Sequence, residues 1–168
     1  NNINKALKIL SEVPEDLLKD RFNYIIINSL KEYIYVFKNK RILKEKKNFN
    51  NLSLIADTFQ RCYLGDINTG SFFSKLVNNS QADYSRYIFF YLSYLIENNQ
   101  IEETKAITDK LDFINSSLLL SQGKSWVESN ELNKFNEVFS CKNHNDIIGE
   151  FLFLISNLYS SQNEFEKS

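Results

Sequence analysis

Helix breakers are scarce in this chain, with one Pro and four Gly among 168 residues. So few of them beside abundant Leu, Ile, Phe, Lys and Glu argue against a turn-rich architecture and for an all-α fold. Metal-binding and nucleophilic side chains are equally sparse, since there is one His and only two Cys. Cys62 and Cys141 are too few and too far apart to read as a disulfide framework, so the redox compartment stays open. Cys141 and His144 lie three residues apart, but zinc needs further ligands that no neighbour supplies, and SCKNHND reads as a connecting loop. No Gly-rich phosphate loop, GxSxG elbow or HExxH is present. No catalytic residue, metal site or cofactor is therefore assigned. The longest apolar run, RYIFFYLSYLI at 86–96, is too short to cross a bilayer, and there is no secretory h-region or transit peptide. Methionine is absent even at position 1, so the natural start of translation is expected outside these residues. The compartment, cytoplasmic or periplasmic, is left undetermined.

The formal charge of -1 hides an asymmetry. Residues 1–50 carry 11 basic and 6 acidic side chains, and the remainder carry 9 and 15. A chain of this balance gives no reason to expect a nucleic-acid partner. KNKRILKEKK at 38–47 holds six basic residues and one acid. It reads as a solvated edge around Ile42 and Leu43, the alternative being contact with a phosphate or an acidic peptide. The 14 Phe and 9 Tyr recur at helical spacing and read as core rather than base-stacking platforms. Glu102 and Glu103 fall at a helix start, where they complement the macrodipole.

What is present in quantity is an internal period. The phrases YLGDINTG, IENNQIEE, VESNELNK and SSQNEFEK each join a helix end to a small or Asn residue, an acid or amide, and then Ile67, Ile101, Leu132 or Phe165. These four residues are 34, 31 and 33 positions apart. An amphipathic stretch precedes each phrase: Leu52, Ile55, Ala56, Phe59; Ile88, Tyr91, Leu92, Leu95; Leu119, Gly123, Trp126; Leu152, Ile155, Tyr159. Such spacing puts one apolar stripe on one helix face. A second, shorter helix follows, as with Leu132, Phe135, Val138 and Phe139, so the unit is a helix, a tight turn and a helix of about 33 residues.

This unit resembles the tetratricopeptide repeat family. The best match runs from Leu119 through Gly123 and Trp126 to Asn130-Glu131-Leu132. There Gly123 would admit a neighbouring backbone and Trp126 would fill the space one turn along. Ser156 and Tyr159 take the same places in the next unit, while Leu92 stands where a small residue is usual. The RCYLGD turn runs about two residues longer than the family's, and Gly70 replaces its Ala. The resemblance implies an α-solenoid of antiparallel helix pairs, a TPR-like superhelix cut from a longer array. Residues 1–14 are then the second helix of a truncated repeat, closed by Pro14, and 15–50 a degenerate pair with Ile27, Leu30, Ile34 and Phe37 on one stripe. Residues 51–82, 83–115 and 116–145 are helix pairs, and 146–168 an incomplete repeat.

In that family the inner wall of the solenoid is a groove for proteins or peptides. By helical phase the residues expected there are Arg86, Phe89, Phe90 and Ser93, then Ser121, Lys124 and Glu128, then Phe153 and Asn157. They do not reproduce the Lys and Asn arrangement with which some members clamp a chaperone's carboxylate. The expected function is a non-catalytic scaffold or adaptor binding a protein or peptide, with further repeats of the same chain as neighbours. The alternative is a helical-repeat appendage of a larger bacterial enzyme or envelope-assembly protein, with its active part elsewhere.

Overall fold

In a computed structural model of the chain, residues 2–78, 85–111 and 117–165 are described. They form α1 (Asn2–Ser11), a 3-10 turn (Leu17–Lys19), α2 (Arg21–Asn39), α3 (Asn51–Leu64), α4 (Thr69–Val77), α5 (Ser85–Glu97), α6 (Ile101–Thr108), α7 (Leu118–Glu128), α8 (Asn133–Val138) and α9 (His144–Phe165). No strand occurs among the described residues. The chain divides into two compact units, one of residues 1–60 with 144–168 and one of residues 61–143.

Three of the four repeated phrases are helix stops, whereas the fourth, expected as the turn of an incomplete repeat, stays helical because α9 continues through Phe165. Gly65, Asn99 and Asn130 all take the left-handed conformation, with φ of 69°, 58° and 59°. Behind each, the same two hydrogen bonds close the helix. Asp66, Gln100 and Glu131 donate their backbone N–H to the carbonyls of Arg61, Leu95 and Trp126 at 3.0, 2.8 and 2.8 Å. Gly65, Asn99 and Asn130 donate to Cys62, Ile96 and Val127 at 3.1, 3.0 and 3.3 Å. This is the Schellman motif three times over, and Gly and Asn recur because they adopt αL at least cost. The extra residues of the first turn follow the cap, where Asp66 Oδ1 accepts from the Asn68 N–H at 2.8 Å. Arg61 and Asp66 form a 2.5 Å ion pair across the same corner. Asp66 is held below the usual carboxylate range by the Asn68 N–H first and by Arg61.

In the 61–143 unit α5 is the central element, packing against α4, α6, α7 and α8, while α7 also meets α6 and α8. Its burial therefore extends beyond the Tyr91, Leu92 and Leu95 stripe to Tyr87, Phe89 and Phe90. Gly123 serves close packing, though of rings rather than backbone. A methyl group there would meet Phe89 Cδ2 at 3.1 Å and Phe135 Cζ at 3.2 Å. Trp126 is 8% exposed and stands edge-on to Phe89 and Phe135. Cys62 and Cys141 form a disulfide with Cα atoms 5.7 Å apart. Sequence separation alone had concealed this pair.

In the other unit α2 packs against α1 and α9. Tyr33 faces Phe151 with ring centroids 5.4 Å apart, and Phe22 faces Tyr159 at 5.8 Å. The helix that the period makes the start of another repeat thus lies on α2, far from it in sequence. The apolar stripes of both helices are rotated from expectation. On α2 the buried residues are Ser29, Glu32, Tyr33, Val36 and Phe37, while Ile27, Leu30 and Ile34 are half-buried. On α9 they are Ile147, Glu150, Phe151 and Ile155, while Leu152 and Tyr159 are exposed. Residues 40–50 contain no helix, so α2 lacks the short charged partner expected at RILKEKK. Lys46 ties this loop to α3 instead, pairing with Asp57 and donating to Gln60 Oε1 at 2.8 Å. Burial raises the pKa of nearby Glu32, an effect that the Lys46 charge opposes.

Candidate functional site

The structure separates the nine residues expected along a groove into three groups. On α5, Phe89, Phe90 and Ser93 are buried to 2% exposure or less. Phe89 stacks on Phe135 at 5.0 Å, Phe90 packs on Phe139 at 4.3 Å, and Ser93 Oγ donates to the Phe139 carbonyl at 2.9 Å. They are core residues because α5 is enclosed by its neighbours. Arg86, partly exposed, lies over the Phe90 ring at 5.3 Å. On α7, Ser121 and Lys124 are half-buried and Glu128 is exposed, with Lys124 and Glu128 paired at 3.6 Å. On α9, Phe153 and Asn157 are exposed. These last two belong to the other unit.

Within the 61–143 unit, the end of α4, α5 and α6 enclose a cleft of about 330 Å³. Val77, Ile88 and Ile107 give it apolar walls, and Ser74, Tyr91 and Glu103 give it a polar side. Tyr91 Oη donates to Glu103 Oε1 at 2.8 Å and lies 3.4 Å from Ser74 Oγ. Burial raises the Tyr91 pKa, and the Glu103 carboxylate adds to the effect. The phenol therefore keeps its proton at neutral pH and acts as a donor rather than a base. Glu103 thus accepts this bond as well as standing in the first turn of α6. No group of three or more His, Cys, Asp or Glu that could hold a metal is found among the described residues. No described helix is long and apolar enough to cross a membrane.

Among the described helices α9 carries the largest group of exposed large apolar residues. Leu152, Phe153 and Tyr159 are 52%, 45% and 57% exposed. With Asn145, Gly149, Ser156 and Asn157 they make an exposed face whose charged member is the half-buried Asp146 in the first turn. Positions 145, 149, 152, 156 and 159 alternate steps of four and three, the spacing of a seam that receives another helix. A methyl group at Gly149 would meet nothing within 4 Å, so a second backbone could approach there. Sequence phase alone selected Phe153 and Asn157 but placed Leu152 and Tyr159 in the core. The signal available was the near-continuous IIGEFLFLI run, which has more apolar residues than one stripe can use.

Of the basic run at 38–47, Lys46 is drawn into the ion pair with Asp57, while Lys38, Arg41, Lys44 and Lys47 are exposed. Arg41 Nε donates to Tyr35 Oη at 2.9 Å. No family model, no curated protein and no solved structure matches this chain.

Proposed function

We propose that the chain is a non-catalytic protein–protein interaction scaffold built of TPR-like helix pairs, and that the outer face of α9 receives an apolar helix of the partner. The observation that carries this reading is the exposure of Leu152 and Phe153 on one face of α9, with Tyr159 exposed at the edge where it meets Phe22. Exposed apolar side chains grouped in this way mark interaction sites rather than ordinary surface. An amphipathic helix docks on such a face through anchors at i, i+3, i+4 and i+7. The three identical helix stops, 34 and 31 residues apart, support a repeated helix-turn-helix plan for α3 to α8. Affinity purification of the wild type beside L152S/F153S/Y159S and K124E tests the proposal. The triple variant should lose its partner proteins while K124E keeps them. Identical captured proteins from both folded variants would exclude α9 as the docking face.

A further inference from the structure

The disulfide occupies a particular place in the fold. The 61–143 unit begins one residue before Cys62 and ends two residues after Cys141. The bond therefore joins the unit's point of entry to its point of exit. Other contacts hold the same place. Lys142 Nζ donates to the Cys62 carbonyl at 3.0 Å, and Ser140 Oγ donates to Glu97. Ser93 Oγ donates to the Phe139 carbonyl at 2.9 Å, and Phe139 itself is in extended conformation after α8. After the extended Phe139 the chain thus lies against α5 and enters a turn at 141–142, closed by the Asn143 N–H on the Ser140 carbonyl at 3.0 Å and tied to the last turn of α3. Cys62 is 0% and Cys141 3% exposed. The chain has no third cysteine, so no alternative pairing within it exists.

We propose that Cys62–Cys141 is a covalent clasp at the neck of the 61–143 unit, closed in an oxidising compartment and protected from reduction by burial. Closure is a thiol–disulfide exchange with a small-molecule or protein disulfide. One cysteine thiolate displaces a thiolate from the donor to give a mixed disulfide, and the second cysteine then displaces the other donor thiolate. The net change turns two protein thiols and one donor disulfide into one protein disulfide and two donor thiols. The attacking group in reduction is also a thiolate, which must reach a sulfur. With both sulfurs enclosed, reduction has to wait for the neck to open. The clasp then raises the cost of opening by restricting the unfolded chain across a long loop.

The test uses the full chain refolded in a mixture of reduced and oxidised glutathione. Non-reducing peptide mass spectrometry should find the Cys62–Cys141 cross-link as the main species. Dithiothreitol should reduce it at least tenfold more slowly in native buffer than in denaturant. Hydrogen exchange of the reduced wild type should rise at least tenfold in α5, α7 and α8, with α2 changing less. The reduced wild type avoids the cavities that alanine would create, and C62S/C141S provides a second measurement of the open form. Two free thiols after refolding would overturn the proposal. So would equal reduction rates in the two solvents, or equal protection in the oxidised and reduced chains.

Discussion

Helices α5 and α9 carry nearly the same kind of sequence and end in opposite surroundings. RYIFFYLSYLI and EFLFLISNLY are both dense in aromatic and aliphatic residues, and each offers apolar side chains on most of its circumference. Around α5, four helices cover those side chains, and Phe89 and Phe90 disappear into the 61–143 unit. Around α9, the contacts of α2 account for one side, through Tyr33 with Phe151 and Phe22 with Tyr159. Leu152 and Phe153 are left half exposed. Burial is thus set by how many neighbours surround a helix, which its own composition does not state.

The largest expected effect comes from truncating the matching aromatics. Phe89→Ala should destabilise the 61–143 unit by about 3–5 kcal/mol, whereas Phe153→Ala should cost less than about 1 kcal/mol. Urea denaturation of the two variants measures both. Equal losses would mean that α9 is as enclosed as α5.

A smaller effect of opposite sign should come from the two helical glycines. Gly123→Ala pushes a methyl group against Phe89 and Phe135 at 3.1–3.2 Å, and the overpacking outweighs the gain in helix propensity by about 1 kcal/mol. Gly149→Ala meets nothing within 4 Å and should stabilise α9 by about 1 kcal/mol. The same alanine thus moves thermal unfolding in opposite directions, and two shifts of one sign would contradict the packing described.

The weakest contrast is in pH. Glu32 in the 1–60/144–168 unit has its pKa raised above the ordinary 4.5, chiefly by burial. The folded form holds that proton more tightly than the unfolded chain, so acidification through the interval just above 4.5 favours folding there. Asp66 in the other unit is lowered from 3.8, so its contribution is present above that value and lost as pH falls through it toward the folded pKa. Melting curves of Glu32→Gln and Asp66→Asn across this range should show the acid gain abolished in the first and the acid loss blunted in the second. Unchanged profiles in both would remove these two carboxylates from the account.

The helical class and three of the four expected turns were legible because both are local, while the fourth phrase continues α9 through Phe165. Scarce Pro and Gly, the period of about 33 residues and the recurring Asn or Gly express backbone preferences that need no tertiary partner. The positions of Trp126 and Gly123 in the core could likewise be read from one helix. The stripes of α2 and α9 could not, because each segment has apolar residues at more phases than one face contains. On α2 the buried face includes Glu32, whose surroundings depend on Lys46 and Gln60 from outside the helix. The groove residues on α5 failed for a related reason, since phase alone cannot tell a second buried face from an exposed one. The disulfide lay further still from sequence, because a separation of 79 residues is bridged only by the complete 61–143 unit.

That bridge also changes what it means to cut this chain. With Cys62 and Cys141 joined, the residues between them form a covalent ring. Hydrolysis of any one peptide bond inside the ring opens it into two arms of a single molecule, whose mass rises by one water. No piece departs until a second bond is cut or the sulfurs are reduced. A protease that makes one cut between Cys62 and Cys141 leaves every helix attached to every other.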